Sequence, residues 1–398
     1  MSAATGDTSR LLDSLDYPWL TPRAAYLHIP FCRTKCLYCD FNTYAGKERL
    51  IGEYVAALSS EVERRTTEAG REPLQTVYFG GGTPSLLPVG AVRRLLGALM
   101  DGYGVAPDAE ITLEANPGTF GRHYLDGLHA LGVNRLSLGM QSLDDDTLRR
   151  LARTHSASSA IGAVKIARAA GMPSINVDLI YGLPWQTISG WSADLQRTLE
   201  TEPDHVSLYA LMIEEGTPLA TLVARGTWPV PDDDAVADMY EAALPILERA
   251  GYVHYEVSNW ARPGHASRHN LTYWRNEAYL GFGAGAHSYV GGRRFWNVKP
   301  IEGYIRRVAR RTVVTGGEET LAPDAQVGET AMLALRLRQE GIDLRRMSER
   351  FGPSAALRWR ATADELERLG LLSSAGGHLT LTDAGLLVSN EIGSRFLT

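Results

Sequence analysis

The feature of this chain that most constrains its fold is an alternation of short apolar runs with longer helical segments between Ala24 and Met212. The runs are rich in β-branched and aromatic residues and predict strands, whereas the intervening segments repeat apolar residues with the period of a helix. The predicted strands are Ala25–Ile29, Thr76–Phe79, Ile111–Ala115, Arg135–Leu138, Ile175–Ile180 and His205–Leu211, and the predicted helices are Glu53–Arg65, Val92–Met100, Ala157–Ala170 and Trp191–Glu200. Strand–helix units of this kind predict an α/β fold, a partial (β/α)6 barrel; from pattern alone, a doubly wound open sheet is the alternative.

Each of the first five predicted strands runs into a glycine-rich or polar motif. These motifs are Cys32 onward, Gly80–Ser85, Glu114–Pro117, Gly139–Ser142 and Tyr181–Pro184. In parallel barrels the active site is built at the carboxyl ends of the strands. We therefore expect the five motifs to meet at one rim of the barrel.

All three cysteines of the 398-residue chain, Cys32, Cys36 and Cys39, fall within one eight-residue window. Three thiolates so close in sequence can bind one soft metal centre, and iron–sulfur clusters are the commonest centre built in this way. A cubane cluster usually takes four cysteines, so this set would leave one iron open to an outside ligand. The alternatives are a chance grouping and a zinc site, which needs a fourth ligand nearby; His28 is the only near candidate.

The composition, 44% hydrophobic and 22% charged, is ordinary for a globular protein, and the length suggests two or more domains. The net charge of −6, with no basic tract, argues against nucleic acid as a main partner. We expect neither a signal peptide nor a transmembrane helix, which needs about 18 consecutive apolar residues. Cysteines that must stay reduced are typical of the cytosol, so we expect a cytoplasmic location. A peripheral membrane contact and a homodimer are left open.

The pattern changes after about Pro229, and four segments are predicted. Residues 1–22 form a polar extension, 23–228 the barrel, 229–322 an aromatic- and histidine-rich extension that closes the barrel, and 323–398 a C-terminal domain. Helices are expected at 232–250 and 302–311 in the third segment. In the fourth we expect helices at Ala325–Gln339, Asp343–Phe351 and Ser354–Leu369, a hairpin turning at Gly376–Gly377, and a last helix from Asp383. This order resembles a winged-helix domain, interpreted here as a lid or partner-docking domain.

The sequence around the cysteines, Tyr26-Leu-His-Ile-Pro-Phe-Cys32 and Cys36-Leu-Tyr-Cys39, resembles the HemN/HemW group of the radical S-adenosylmethionine (SAM) superfamily. The resemblance covers most of the chain, from about Tyr26 into the C-terminal domain. It implies a radical SAM barrel, a 4Fe–4S cluster on Cys32, Cys36 and Cys39, and SAM on the fourth iron. It also implies cleavage of SAM to a 5′-deoxyadenosyl radical, for which the protein supplies binding, orientation and exclusion of water.

The same resemblance assigns a set of SAM contacts. The set is Tyr26, Tyr38, Gly81, Gly82, Thr83, Glu114, Gln141, Arg153 and Asp178. The glycines also suit a close approach of backbone to ligand, although a plain tight turn is the alternative. Glu114 and Arg153 have ordinary alternatives, a helix N-terminal carboxylate and a surface arginine. Asp178 lies in an apolar strand, where a buried carboxylate needs a partner, and a ligand or Arg153 would supply one. A second SAM is left open.

A second motif, Arg268-His269-Asn270-Leu-Thr-Tyr273-Trp274, resembles the H-N-x-x-Y-W motif of the heme chaperones in this group. The resemblance implies heme binding by His269, Asn270, Tyr273 and Trp274, with His269 as the axial ligand. The alternative is an aromatic patch that closes the open edge of the barrel, with His269 hydrogen-bonded inside it. Residues Gly281–Ser288 are expected to line the same cavity.

Position 41 separates the two branches of the group. Coproporphyrinogen dehydrogenases typically carry a fourth cysteine two positions after the third, whereas this chain has Phe41 there, the form seen in the heme chaperones. We therefore predict a radical SAM heme chaperone that delivers heme to acceptor hemoproteins such as respiratory enzymes. The alternative is an oxygen-independent coproporphyrinogen III dehydrogenase, or a related methyl or methylene transferase. The SAM motifs are intact, which argues against a scaffold without chemistry, but no catalytic residue is assigned.

Overall fold

The computed structural model describes residues 17–66 and 72–397, so most of the predicted N-terminal extension, residues 1–16, lies outside the described residues. The strands of the barrel region are β1 (Ala24–Ile29), β2 (Phe31–Cys32), β3 (Tyr44–Ala45), β4 (Leu74–Gly81), β5 (Val105–Ala115), β6 (Arg135–Gln141), β7 (Ser174–Tyr181) and β8 (His205–Ala210). Those that follow are β9 (Val253–Glu256), β10 (Asn259–Ala261), β11 (Tyr279–Phe282), β12 (His287–Val290), β13 (Arg293–Asn297) and β14 (Thr315–Thr320).

The main sheet runs in the order β14-β13-β12-β11-β1-β4-β5-β6-β7-β8-β10-β9. Its centre, β1 and β4 to β8, consists of parallel neighbours in chain order, which confirms the six predicted strands. Because the strand order never reverses within this centre, the sheet winds as a partial (β/α)6 barrel and not as a doubly wound sheet.

The extension after Pro229 contributes to both edges of this sheet. Strands β9 and β10 lie beside β8, and β11 pairs in parallel with β1 and carries the antiparallel strands β12 to β14. The strand order is linear, with β14 at one end and β9 at the other. The extension therefore lengthens the sheet at each edge, and closure of the barrel by residues 229–322 stays a prediction.

The helices pack between and outside these strands. In the barrel region and the extension they are Ile51–Arg64, Val89–Tyr103, Arg122–Ala130, Asp145–Arg150, Ala157–Ala169, Ile188–Leu199, Pro218–Ala224, Asp233–Arg249, Arg268–Trp274 and Ile301–Ala309. All six helices predicted for these two segments are present. No helix within the described ranges is long and apolar enough to cross a membrane.

The C-terminal residues form helices around a small sheet. The helices are Pro323–Ala334, Leu344–Phe351, Pro353–Leu357, Arg360–Arg368, Asp383–Leu387 and Ser389–Ser394, and the sheet contains β15 (Ile342–Asp343), β16 (Leu372–Ala375) and β17 (His378–Leu381). The predicted hairpin turn at Gly376–Gly377 is confirmed, and both glycines have positive φ. One helix prediction was wrong: the run Ser354–Leu369 is broken at Trp359, which leaves helical geometry (φ −102°) where its indole is buried.

The parallel strands have one apolar face and one polar face. Residues such as Leu27, Val77, Leu113, Leu136, Val177 and Val206 form the buried apolar face. Alternate positions form the polar face: Tyr26, Tyr78, Thr112, Glu114, Ser137, Asn176, Asp178 and Ser207. The strand register pairs Tyr26 with Tyr78, Glu114 with Ser137 and Asp178 with Ser207, so these side chains share one side of the sheet. This polar face lines the barrel interior below the rim motifs.

Candidate cofactor site

The three cysteines lie in the loop that follows β1. Cys32 ends the short strand β2, and the amide of Cys39 donates to the carbonyl of Cys36 over 3.3 Å, which closes a turn between the second and third thiols. All three are half-buried and unbridged. Across residues 17–66 and 72–397, no three His, Cys, Asp or Glu side chains are grouped as ligands of a single metal ion. A cubane cluster does not need its three cysteines grouped around one metal ion, because each cysteine binds a different iron atom of the cluster.

Two later segments of the chain hold this loop at Leu37. The amide of Leu37 donates to the carbonyl of Leu151 over 3.4 Å, and its carbonyl accepts from the amide of Leu219 at 2.9 Å. The neighbouring Tyr38 packs against the apolar cluster that contains Leu151 and Leu219. The cysteine loop is therefore docked onto the rim of the barrel.

Each cysteine sulfur has a polar side chain beside it. The pairs are Thr83 Oγ1 with Cys32 Sγ at 3.6 Å, Arg153 Nη1 with Cys36 Sγ at 3.4 Å, and Thr43 Oγ1 with Cys39 Sγ at 3.8 Å. Burial raises the pKa of the Cys32 and Cys39 thiols, so metal binding has to displace their protons. Hydrogen-bonding groups around sulfur are a usual means of tuning iron–sulfur clusters, and this donor set suits one.

His28, the only candidate for a zinc ligand next to the cysteines, is engaged elsewhere. Its Nε2 donates to the carbonyl of Asn42 over 2.9 Å, which leaves Nδ1 to accept from the hydroxyl of Tyr26 at 3.0 Å. The ring is buried, and burial lowers its pKa. Both ring nitrogens are therefore used within the protein, and the zinc alternative lacks its fourth ligand at this position.

The three glycines at the end of β4 leave room for neighbouring side chains. A Cβ on Gly80 would lie 2.8 Å from the Tyr26 ring, one on Gly81 would lie 2.6 Å from the His28 ring, and one on Gly82 would lie 2.6 Å from the carbonyl oxygen of Phe31. Gly81 also has φ +118°, which favours glycine. Close packing of Gly80 and Gly81 against β1, and of Gly82 against the start of the cysteine loop, thus explains these residues, whatever the backbone binds.

Glu114 lies on the polar face directly below the glycine turn. Its carboxylate accepts from the Tyr78 hydroxyl at 2.8 Å and from the Gly81 amide at 2.9 Å. Burial raises its pKa to about 7, the nearby Asp178 adds to the rise, and the two hydrogen bonds oppose it. The site therefore contains a carboxyl group able to hold or release a proton near neutral pH.

Gln141 and Arg153 come together at the rim, as predicted for strand-end motifs. Gln141 has φ +66°, a conformation rarely adopted by a residue with a side chain. In the part of the chain that the structure describes, its amide group has no hydrogen-bond partner. The Nη2 of Arg153 donates to Asn116 Oδ1 and to the Gly139 carbonyl, both at 2.6 Å, while its Nε is buried and unpartnered among the same residues. These free polar atoms are available to a polar ligand.

Asp178 does not pair with Arg153, one of its two predicted partners; contact with a ligand, the other, stays a prediction. Its carboxylate accepts from Asn176 Nδ2 at 2.8 Å and from the Ser137 hydroxyl at 3.2 Å, both on the same polar face. Arg153 instead points to the cysteine loop, because Asn116 and the Gly139 carbonyl fix its guanidinium there. Burial raises the pKa of Asp178, and its hydrogen bonds oppose the rise.

The predicted heme ligand His269 is buried in the barrel wall. Its Nδ1 shares a 2.8 Å hydrogen bond with Thr76 Oγ1, and its Nε2 shares another of 2.8 Å with the Tyr273 hydroxyl. The ring stacks on Tyr78 at 5.0 Å, and burial lowers its pKa to about 3. The carboxylate of Glu110 accepts from the His269 amide at 2.9 Å, which anchors the start of the helix Arg268–Trp274. This arrangement matches the alternative of an internal aromatic patch, and heme ligation by His269 stays a prediction.

The other predicted heme contacts lie on this helix. Asn270, Tyr273 and Trp274 are half-buried. Nearby in sequence, His287 is exposed and stacks on Trp296, with ring centroids 5.4 Å apart. His287 therefore presents an imidazole to solvent, whereas His269 does not.

Several residues of this site were missed from the sequence. They are Thr43, Tyr78, Asn116, Ser137 and Asn176. A period-two polar pattern within β4 to β7 was a usable signal for those on the sheet, because alternate strand residues share a face. No sequence pattern identified Thr43, because its position beside Cys39 depends on the path of the loop between these two residues.

Comparison with known proteins identifies the class that this fold and site define. The model of the radical SAM superfamily matches residues 26–196, and that of the HemN C-terminal domain matches residues 321–388. Coproporphyrinogen III oxidase (HemN) from Escherichia coli, a radical SAM enzyme, has a similar structure with a TM-score of 0.81 at 24% identity, covering 99% of this chain and 94% of that one. The chain thus has the fold of a radical SAM protein.

Curated relatives identify the family within this class. The heme chaperone HemW of Mycobacterium tuberculosis is 41% identical over 375 residues, which cover 93% of this chain and 94% of the relative. The heme chaperone HemW of Bacillus subtilis is 35% identical, with 94% and 99% covered. The chain belongs to the HemW family of radical SAM proteins.

Family membership brings a 4Fe–4S cluster and SAM as cofactors. The residues fit both groups. Three half-buried thiols, each with a polar side chain beside its sulfur, suit the cluster, and the unpartnered polar atoms of Gln141 and Arg153 next to them suit the polar groups of SAM. When bound, the cluster supplies electrons for reductive chemistry on SAM. The protein's own part is to hold the sulfurs, orient the ligand at the rim and exclude water.

Proposed function

We propose that this protein is a heme chaperone that binds heme and delivers it to acceptor hemoproteins, with the respiratory enzymes as one group of acceptors. Cys32, Cys36 and Cys39 would hold the cluster, and Glu114, Gln141, Arg153 and Asp178 would contact SAM, together with the tyrosines and the glycine turn predicted above. The cytoplasm is the proposed location. The proposed domain limits are those of the sequence: barrel 23–228, extension 229–322 and C-terminal domain 323–398.

The cysteine loop, together with the match to heme chaperones, gives the proposal its strongest support. The cysteine loop, with a polar neighbour for each sulfur, lies in a chain that matches named heme chaperones over almost its whole length. Phe41, where the alternative dehydrogenase activity would need a fourth cysteine, is 63% exposed beside this loop. An exposed apolar side chain at that position cannot replace a thiolate.

The proposed axial ligand is His269, and the structure adds a condition. Iron can bind Nε2 only if that atom gives up its hydrogen bond to Tyr273, because the other ring nitrogen is engaged with Thr76. Burial keeps the imidazole neutral, which is the state that ligates iron. A local opening of the helix Arg268–Trp274 would be needed for access.

An anaerobic heme titration of the cluster-reconstituted protein, read in the Soret region, tests the proposal. The wild type, His269→Ala and His287→Ala are compared, because His287 is an exposed histidine in the segment Gly281–Ser288 that is predicted to line the same cavity. We expect stoichiometric binding by the wild type and by His287→Ala, and its loss in His269→Ala.

Two other outcomes of the heme titration would change this assignment. Loss in His287→Ala alone would keep the chaperone function and move the ligand to the exposed edge of β12. Absence of stoichiometric binding by the wild type would overturn the proposal. Coproporphyrinogen III would then be offered with SAM, and release of CO2 would establish the dehydrogenase alternative.

A further inference from the structure

A continuous chain of side-chain hydrogen bonds connects two of the three cluster cysteines. It runs from Cys36 through Arg153, Asn116 and Thr83 to Cys32. Its links are Arg153 Nη1 to Cys36 Sγ at 3.4 Å, Arg153 Nη2 to Asn116 Oδ1 at 2.6 Å, Asn116 Nδ2 to Thr83 Oγ1 at 3.0 Å, and Thr83 Oγ1 to Cys32 Sγ at 3.6 Å. We name these three connecting residues the sulfur relay.

The direction of every hydrogen bond in the sulfur relay follows from its chemistry. A guanidinium can only donate, so the Asn116 atom facing Arg153 must be the carbonyl oxygen and its NH2 must face Thr83. The Thr83 hydroxyl accepts that N–H, which leaves its own hydrogen for Cys32. Both ends of the relay therefore present a hydrogen to a sulfur, and each donor polarises the next one in the chain.

The surrounding fold holds the residues of the sulfur relay in position. Thr83 is buried, and Arg153 and Asn116 are half-buried between three strand-end motifs. The Gly139 carbonyl, 2.6 Å from Arg153 Nη2, gives the guanidinium a second fixed point. A Cβ at Gly139 would lie 2.8 Å from Asn116 Oδ1 and 3.2 Å from Arg153 Nη2, so the missing side chain there makes room for the relay.

We propose that the sulfur relay raises the reduction potential of the cluster by donating hydrogen bonds to Cys32 and Cys36, with Asn116 as the residue that positions both donors. Adding an electron makes the cluster more negative, so a cationic donor at one sulfur and a polarised hydroxyl at another stabilise the reduced form more than the oxidised form. This inference rests on the cluster part of the proposed function and is independent of heme.

The test is an anaerobic potentiometric titration of the reconstituted cluster with dithionite, without SAM or heme. Arg153→Gln is compared with Arg33→Gln. Arg33 is exposed next to Cys32 and donates to the Gly118 carbonyl over 3.3 Å, so its replacement removes an equal charge from the same loop without removing a contact to sulfur. Iron and sulfide contents equal to those of the wild type are required first.

We expect Arg153→Gln to lower the ratio of reduced to oxidised cluster at a fixed potential about tenfold, which is 59 mV for a one-electron couple. Arg33→Gln should change it less than twofold. Equal ratios for Arg153→Gln and the wild type would overturn the proposal. An equally large drop in Arg33→Gln would also overturn it, since the effect would then be that of a nearby charge.

A second pair of variants keeps the proposal testable if Arg153→Gln fails to assemble a cluster. Thr83→Val removes the hydroxyl that faces Cys32 at nearly constant volume, whereas Thr83→Ser retains it. We expect a lower ratio in Thr83→Val, about threefold, and a wild-type ratio in Thr83→Ser. Equal reduction potentials for the two variants would show that the Thr83 hydroxyl does not act on the cluster. This result would overturn the proposal. Failed heme binding in the titration above would leave these potentials unaffected, so the two proposals fail separately.

Discussion

The Nε2 of His269 lies 2.8 Å from the hydroxyl of Tyr273, so the nitrogen predicted to ligate heme iron is engaged by a residue of the same motif. The two groups sit one helical turn apart on Arg268–Trp274, a spacing that places them on one face of the helix. If His269 is the ligand, the tyrosine would compete with iron for Nε2, and removing its hydroxyl would strengthen heme binding.

Tyr273→Phe is expected to tighten heme binding if His269 is the ligand. The variant frees Nε2 from a hydrogen bond worth about 0.5–1.5 kcal/mol, which corresponds to an affinity gain of roughly two- to tenfold. The Kd from a Soret titration measures it. A weaker or unchanged affinity would indicate that iron is ligated elsewhere.

The stability contributed by His269 should depend on pH. Burial lowers its folded-state pKa to about 3, whereas the unfolded chain has the ordinary value near 6.5. Below pH 6.5 the unfolded state therefore binds the extra proton, and the stability lost by protonation grows as the pH falls toward 3. Relative to His269→Gln, the wild type should lose about 1 kcal/mol of unfolding free energy per pH unit between 6 and 4.

Urea unfolding of the two forms at a series of pH values measures this difference. His123→Gln serves as the control, since His123 is exposed in the first turn of the helix Arg122–Ala130. A pH-independent difference between the wild type and His269→Gln would contradict the buried, neutral imidazole.

Gly82→Ala should impair the cysteine loop. The added Cβ would lie 2.6 Å from the Phe31 carbonyl oxygen and 3.0 Å from Cys32 Sγ, so the loop has to move away from β4. We expect a loss of about 1–3 kcal/mol in unfolding free energy and a lower iron content after reconstitution. Gly90→Ala is the control, because a Cβ there meets open space in a helix and stabilises it slightly. Equal iron content in the two variants would contradict the packing account.

Replacing Cys36 by serine should abolish the cluster. The chain has no other thiol outside Cys32 and Cys39 to substitute for it, and His28 is engaged by Tyr26 and Asn42. Iron and sulfide analysis together with the visible absorption of the reconstituted protein measure the loss. An intact spectrum in Cys36→Ser would contradict the ligand assignment.

Much of the barrel was predictable because its signals are local. Six strands and four of the helices between them follow from short-range periodicity, and the meeting of Gln141, Arg153 and the cysteine loop at one rim follows from the parallel order of the strands. The extension was harder, because β11 joins β1 across a sequence separation of more than 250 residues, and no local pattern encodes which edge a strand joins.

The residues of the site could be predicted from the sequence, but the contacts between their side chains could not. Asp178 was expected to pair with a ligand or with Arg153, and within the protein Asn176 and Ser137 are its partners instead of Arg153. Arg153 turns to Cys36 instead, because Asn116 and the Gly139 carbonyl lie where its guanidinium can be held. Such choices depend on side-chain distances of a few ångströms across different strands, which spacing along the chain does not contain.

Transfer of heme to an acceptor is the sharpest test of the proposed chaperone function. The heme-loaded, cluster-containing protein is mixed anaerobically with an apo-hemoprotein, the two are separated, and heme is measured in each fraction by its Soret absorption. We expect heme to move to the acceptor, and we expect the transfer to decrease when heme binding is lost by substitution. Heme that stays with this protein, together with CO2 release from coproporphyrinogen III in the presence of SAM, would contradict a chaperone and show an enzyme.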